Sequence, residues 1–414
     1  MRFLVECTYV YEHPHVNSGI QRVVRNVINN LEQAHAPECI PVILTPGEIY
    51  RVNQLQPDPD QKFKSRVHAW LTRQHNRLGR LRERTALYRA SLREGNFSIV
   101  RSVKQLACLV MQLALRVVMK CLSWMSLNYA DTNRLEPLTY QPGDVLILLD
   151  SSWHADFFPM AERLKSEGVK IVAVLYDLIP LTHPQFCDDG LVRVFAHWFD
   201  WITRTADGYV AISRTIIEQV RGEVCRRLGE DAAQQRWFDY FHLGSDLDQI
   251  APNSTVRPEV ESVFRQRPVY LMVSTIEPRK NHAYLLDAFD QLWSANRDVA
   301  LCFVGKIGWK TERLIERIRQ HPQLGQRLFM LNDLNDRELE HCYLHARSLV
   351  FPSHVEGFGL PLVEAMQRNL PVMARDIPVF REIGENSMAY FDLSDPASLV
   401  QLVIQFEDSG QFPA

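Results

Sequence analysis

The chain has 414 residues, a formal net charge of −3, 46% apolar residues and 23% charged residues. That length allows two domains, each with its own core, and the composition is ordinary for a soluble α/β protein. The slight acidity argues against nucleic acid as a partner.

The eight cysteines are scattered, with no C-x-x-C and no zinc spacing, and read as thiols of a reducing compartment. The start, MRFLVECTYV, lacks a basic head, an apolar core and a small-residue cleavage site, so no signal peptide is expected. No uncharged apolar run reaches transmembrane length. The expected location is the cytoplasm.

In chain order, Phe3 to Val10 is predicted as a first strand. Ser18-Gly19 then opens a helix whose apolar residues Ile20, Val23, Val24, Val27, Ile28 and Leu31 recur at helical spacing. Ser18 with Gln21 forms a capping-box pattern. Residues 39–45 form the next strand. The stretch 51–138 breaks the strand–helix alternation and is read as an insertion. From Gln61 to Lys104 it carries twelve Lys/Arg against two Glu. An apolar helical segment follows, Val103 to Leu127, with Gln112, Arg116, Lys120 and Ser123 on one stripe. Two readings stay open for it: a helix lying on an anionic membrane surface at the inner face of the cytoplasmic membrane, or a core helix beside a solvated basic face.

Strands are expected at Val145–Leu149, Lys170–Leu175 and Gly208–Ile212, with a helix after Ser213. Polar, proline-bearing residues 251–267 suit a linker. It separates an N-terminal domain, 1–250, from a C-terminal one, 268–414. Regular βα alternation runs through the second part, as in a doubly wound sheet. Within it, Ser274-Thr275-Ile276-Glu277-Pro278-Arg279-Lys280-Asn281 ends a strand and starts a helix. Arg279 and Lys280 there are either solvated cations or the partners of a bound anion. A helix start disfavours cations, which favours the anion.

The densest motif is FPSHVEGFGLPLVEAMQRNLPVMARDIPVFRE, Phe351 to Glu382. A buried strand runs into the loop Glu356-Gly357-Phe358-Gly359, and a helix starts at Leu360-Pro361. Strand, glycine loop and helix N-terminus make an anion site. Glu356 and Glu364, with seven residues between them, supply acceptors for hydroxyls, which suits a nucleotide sugar. A capped helix with a surface glutamate is the plainer alternative.

The string PSHVEGFGLPLVEAM resembles the donor-site signature of retaining glycosyltransferases of family 4, whose E-x7-E pair matches Glu356 and Glu364. That resemblance implies a GT-B fold: two Rossmann-like α/β domains facing a cleft. It implies that Arg279 and Lys280 hold the donor pyrophosphate, although the usual arginine position is Thr275. The backbone at Ser18-Gly19 would approach the donor phosphate, where the family has two glycines. Glu364 would take the ribose hydroxyls, Glu356 with Gly357, Phe358, Gly359 and Leu360 the donor sugar and phosphate, and the loop to Leu334 the base. Where relatives have His-Asp, this chain has Tyr176-Asp177, so a histidine role does not transfer. Asp177 is either a catalytic-site acid or a turn cap. Gly244 and Asp246 resemble the G-x-D loop bordering the cleft. GT-B chains continue through helices crossing back to the first domain, whereas this one ends soon after a helix beginning near Pro396.

The expected activity is retaining, metal-independent transfer of a hexose, with GDP-mannose the favoured donor. The acceptor would be lipid-linked or a glycan, in bacterial surface polysaccharide synthesis. No cofactor is expected besides the donor substrate. A nucleotide-sugar epimerase and a non-catalytic partner of a glycan synthase are the alternatives.

Overall fold

The structure is a computed structural model, and it describes residues 1–14, 19–31, 38–55, 110, 111, 114, 117, 135–154, 157–244 and 255–413. Ser18, Asp246 and the basic segment Gln61–Lys104 lie outside the described residues.

The first sheet has eight strands: β1 (Phe3–Glu6), β2 (Cys39–Leu44), β3 (Ile49–Val52), β4 (Leu135–Pro137), β5 (Val145–Leu148), β6 (Lys170–Leu175), β7 (Gly208–Ala211) and β8 (Trp237–Tyr240). They lie in the order β4-β3-β2-β1-β5-β6-β7-β8. From β2 to β8 neighbours are parallel, while β3 pairs antiparallel with both β2 and β4. The segment read as an insertion therefore leaves and re-enters through one edge pair, Val52 opposite Leu135.

The second sheet contains β9 (Val269–Val273), β10 (Ala300–Val304), β11 (Leu328–Leu331), β12 (Ser348–Phe351), β13 (Val372–Arg375) and β14 (Ala389–Phe391). All of its pairings are parallel, in the order β11-β10-β9-β12-β13-β14. Reading β9 as strand one, that is the 3-2-1-4-5-6 order of a dinucleotide-binding fold. Its central strands are apolar along their length and buried, as strands covered on both faces must be.

Alternation splits each sheet between two cores. Leu4 packs on one side of the first sheet and Val5 on the other; Leu271 and Met272 do the same in the second. The core holding Val5 also takes in Phe358, Leu360 and Val363, so one apolar layer joins the two halves.

Two expectations are corrected. The strand predicted to reach Val10 stops at Glu6, and a helix occupies Thr8–Glu12. Buried carboxylates cause the turn: Glu6 accepts from the Thr8 N–H at 2.7 Å and Asp150 from the Val10 N–H at 2.6 Å. Inside the expected linker, Pro258–Val263 is helical, with Val260 and Val263 buried in a core of the second half.

Of the apolar segment 103–127, Val110, Met111, Ala114 and Val117 are described; all four are helical and exposed. Their spacing puts them on one helix face. Among the described residues no helix is long and apolar enough to cross a membrane.

Candidate active site

In a sheet of this order a ligand binds where the strand order reverses, outside the carboxyl ends of strands one and four. Here those strands are β9 and β12. The loops that follow them are Ser274–Lys280 and Pro352–Gly359, the two motifs singled out in the sequence.

They meet in a buried charge cluster. Arg279 Nη1 lies 2.6 Å from Glu356 Oε2, and Lys280 Nζ is hydrogen-bonded to Glu356 Oε1. Arg279 also pairs with Glu277 at 2.7 Å and donates to the Val355 carbonyl at 2.9 Å. Glu277 and Glu356 are 4% and 9% exposed, so each charge depends on its partners. Burial alone would raise the Glu356 pKa; Arg279 and Lys280 overcome it and hold the carboxyl at about 2. Burial lowers the Lys280 pKa, with Arg279 adding to the effect and Glu356 opposing it. Thr275, at the usual arginine position, is exposed.

Asp177 belongs to the same cluster. Its Oδ1 accepts from the Ile179 N–H at 2.9 Å, capping the short helix Ile179–Thr182. Burial raises its pKa, while Arg279 pulls the other way. Asp177 thus caps the turn and lies within electrostatic reach of the charged cluster.

The glycine loop is pressed against the first half. A β-carbon on Gly357 would lie 2.0 Å from the Tyr176 carbonyl oxygen, a contact that only glycine permits. Ser213 caps the helix Arg214–Leu228 through the Ile216 N–H at 3.2 Å and donates to the Gly357 carbonyl at 2.9 Å. Glu382, from the second half, accepts from the Arg214 and Thr215 N–H groups at 2.6 and 2.8 Å. A carboxylate from one half thus sits on a helix N-terminus of the other. Gly359 takes φ 117° to start the helix Leu360–Gln367.

That helix lies beside Gly19–Asn30. A β-carbon on Gly19 would be 3.7 Å from Leu360, and one turn further Arg22 Nη1 lies 3.3 Å from Glu364 Oε1. The two helices run side by side with their N-termini together. Glu364 is 3% exposed, and its Oε2 accepts from the Tyr343 hydroxyl at 2.6 Å.

Phe358 does not project toward this space. Its ring is buried in the apolar layer between the halves, so only its backbone remains for a ligand. Leu334 packs against a core of the second half. Gly244 is exposed. Among the described residues no three His, Cys, Asp or Glu side chains are grouped to hold a metal ion.

Sequence reasoning passed over Arg22, Tyr343 and Glu382. It also missed a second acidic pair at the strand reversal of the first sheet, between β1 and β5. Glu6 and Asp150 are fully buried there, and the Asp150 N–H donates to Glu6 at 3.3 Å. Burial, reinforced by Asp150, pushes the Glu6 pKa up to about 8. An acid at or just past the end of an apolar strand was the available signal.

The family model described as "Glycosyl transferases group 1" matches residues 256–414. The Escherichia coli serotype-specific mannosyltransferase WbdA is 35% identical over 283 residues, which is 65% of this chain and 34% of that protein. This chain therefore spans about a third of the length of the WbdA relatives it matches. The O-antigen chain mannosyltransferase RfbU of Salmonella typhimurium is 27% identical, over 66% of this chain and 71% of that one. Among solved structures, the lipopolysaccharide outer core galactosyltransferase WaaB superposes with a TM-score of 0.50 at 14% identity, covering 99% of this chain and 91% of that chain. The likeness to WaaB and the two largely parallel sheets give the chain the GT-B fold, and residues 256–414 match the glycosyl transferases group 1 family model.

Proposed function

We propose that the chain is a retaining glycosyltransferase that moves mannose from GDP-mannose to a lipid-linked or glycan acceptor in bacterial surface polysaccharide synthesis. The carrying observation is the meeting of Arg279, Lys280 and Glu356 beside two helix N-termini at the strand reversal. The names of the WbdA and RfbU relatives support mannose as the sugar.

In such a transfer the C1–O bond breaks, positive charge grows on the sugar and negative charge on the departing diphosphate. Arg279, Lys280 and the paired helix ends are arranged to stabilise that departing charge. Glu356, held ionised, is an acceptor for donor-sugar hydroxyls once the diphosphate competes for its cations. The division of labour is 1–250 for the acceptor side and 268–414 for the nucleotide sugar, joined by 251–267, whose helix Pro258–Val263 packs on the second half. The exposed apolar face at Val110, Met111, Ala114 and Val117 supports contact with an anionic membrane surface, where a lipid-linked acceptor resides.

The test is incubation with labelled GDP-mannose and a lipid-linked acceptor, with UDP- and dTDP-sugars in parallel. Release of nucleoside diphosphate with transferred sugar is the expected result. An altered free sugar would make the chain an epimerase, and no turnover of any donor a binding partner. EDTA should leave the rate unchanged, since side-chain cations and backbone dipoles carry the leaving-group charge; loss restored by Mg²⁺ or Mn²⁺ would contradict that assignment.

A further inference from the structure

Glu364 is the acid that the proposed reading gives to the donor's ribose, and in the structure each of its oxygens already has a protein donor. Tyr343 comes from the same half, on the helix Asp336–His345. Arg22 comes from the other half and reaches across the apposed helices. The Glu364 side chain is 4% exposed and that of Arg22 22%. Burial, reinforced by the Glu364 charge, drives the Tyr343 pKa well above its ordinary value, so its hydroxyl remains a donor.

A carboxylate has about four lone-pair directions, and these two donors occupy two of them. The other two are left for a vicinal pair of ribose hydroxyls. Gly19 meets Leu360 and, one turn on, Arg22 meets Glu364, so this contact forms only while the two helices lie together.

Resting on the nucleotide-sugar reading, we propose that Arg22 is a positioning residue for the donor's ribose. It fixes the Glu364 rotamer from across the cleft through the contact at 3.3 Å. Ribose recognition is thereby tied to apposition of the two halves. A fixed acceptor spares the ordering cost of a free side chain.

The experiment is calorimetric titration of the full chain with GDP and UDP and with their 2′,3′-dideoxy counterparts. Wild type should prefer the ribonucleotide by tenfold or more. In Arg22→Ala the preference should fall to within threefold of unity, while affinity for the dideoxy form stays within threefold of wild type. Tyr343→Phe should reduce the preference in the same direction, and Arg22→Lys should restore part of it. Circular dichroism checks that each variant is folded; if Arg22→Ala is not, Arg22→Gln takes its place with the same expectation.

An unchanged preference in the folded variant overturns the proposal. So does an equal loss of both ligands, which would assign Arg22 to the diphosphate. A wild type that binds both forms equally also overturns it, by removing the ribose from Glu364. A wild type that binds no nucleotide at all instead sinks the reading of the site on which the proposal rests.

Discussion

Gly357 and Tyr176 belong to different halves of the molecule, yet their backbones meet so closely that a single methyl group would lie 2.0 Å from the Tyr176 oxygen. The glycine is there because the donor loop and the opposite strand end share one surface. Gly357→Ala should therefore wedge the halves apart, lose the Ser213 bond to the Gly357 carbonyl and cut transfer at least tenfold. Gly222→Ala is the control: it lies in the helix Arg214–Leu228 with nothing within 4 Å of its would-be β-carbon. It should leave transfer intact and stabilise by about 0.5–1 kcal/mol. Steady-state kinetics and denaturant titration of both variants check the pair.

Lys280→Ala should fold, because Arg279 still neutralises Glu356 at 2.6 Å. It should lose one charge-assisted bond to the diphosphate, worth roughly 1.5–3 kcal/mol, or about one to two decades in kcat/KM for the donor. Near wild-type turnover at limiting donor would remove Lys280 from the site.

The Glu6–Asp150 pair predicts how stability follows pH. The folded pKa of Glu6 is raised to about 8, above its ordinary 4.5, so the folded protein holds a proton that the unfolded chain releases. The stabilisation is complete below the unfolded value and is lost as pH rises through about 8. The slope for one proton is at most about 1.4 kcal/mol per pH unit. Urea midpoints should fall between pH 6 and 9, and Glu6→Gln should flatten that dependence. The substitution is also expected to cost about 1–3 kcal/mol at pH 6, since its amide faces an N–H that needs an acceptor. A steep slope persisting in Glu6→Gln would place the proton elsewhere.

Flotation with liposomes tests the membrane reading. Binding should require anionic lipid, weaken with salt and fall when Leu113, Val117 and Trp124 become serine. A wild type that stays off anionic vesicles at low salt would leave the exposed face at Val110 and Val117 with some other role.

What the sequence disclosed follows from the reach of its interactions. The strands at 170–175 and 269–273 have the predicted bounds because continuous apolar runs declare themselves locally. The loop Glu356–Gly359 was legible because its chemistry lies in consecutive residues. Arg22 was not, since its partner is Glu364, and Tyr343 needs the same glutamate from another helix. The end of β1 was misplaced because the acid that turns the chain, Asp150, is far from it in sequence. The short edge strands β3 and β4 were absorbed into the insertion, each too brief to show alternation.

That edge pair has a consequence for how the molecule can be rebuilt. Val52 and Leu135 are registered partners, so the two ends of the segment between them are held side by side at the sheet edge. Loop closure costs only about 0.6 kcal/mol per doubling of length, so the sheet is nearly indifferent to what the edge carries. A two-residue Asn-Gly turn fits an antiparallel pair of this kind. Replacing residues 53–134 by such a turn should therefore leave the rest of the first sheet in place.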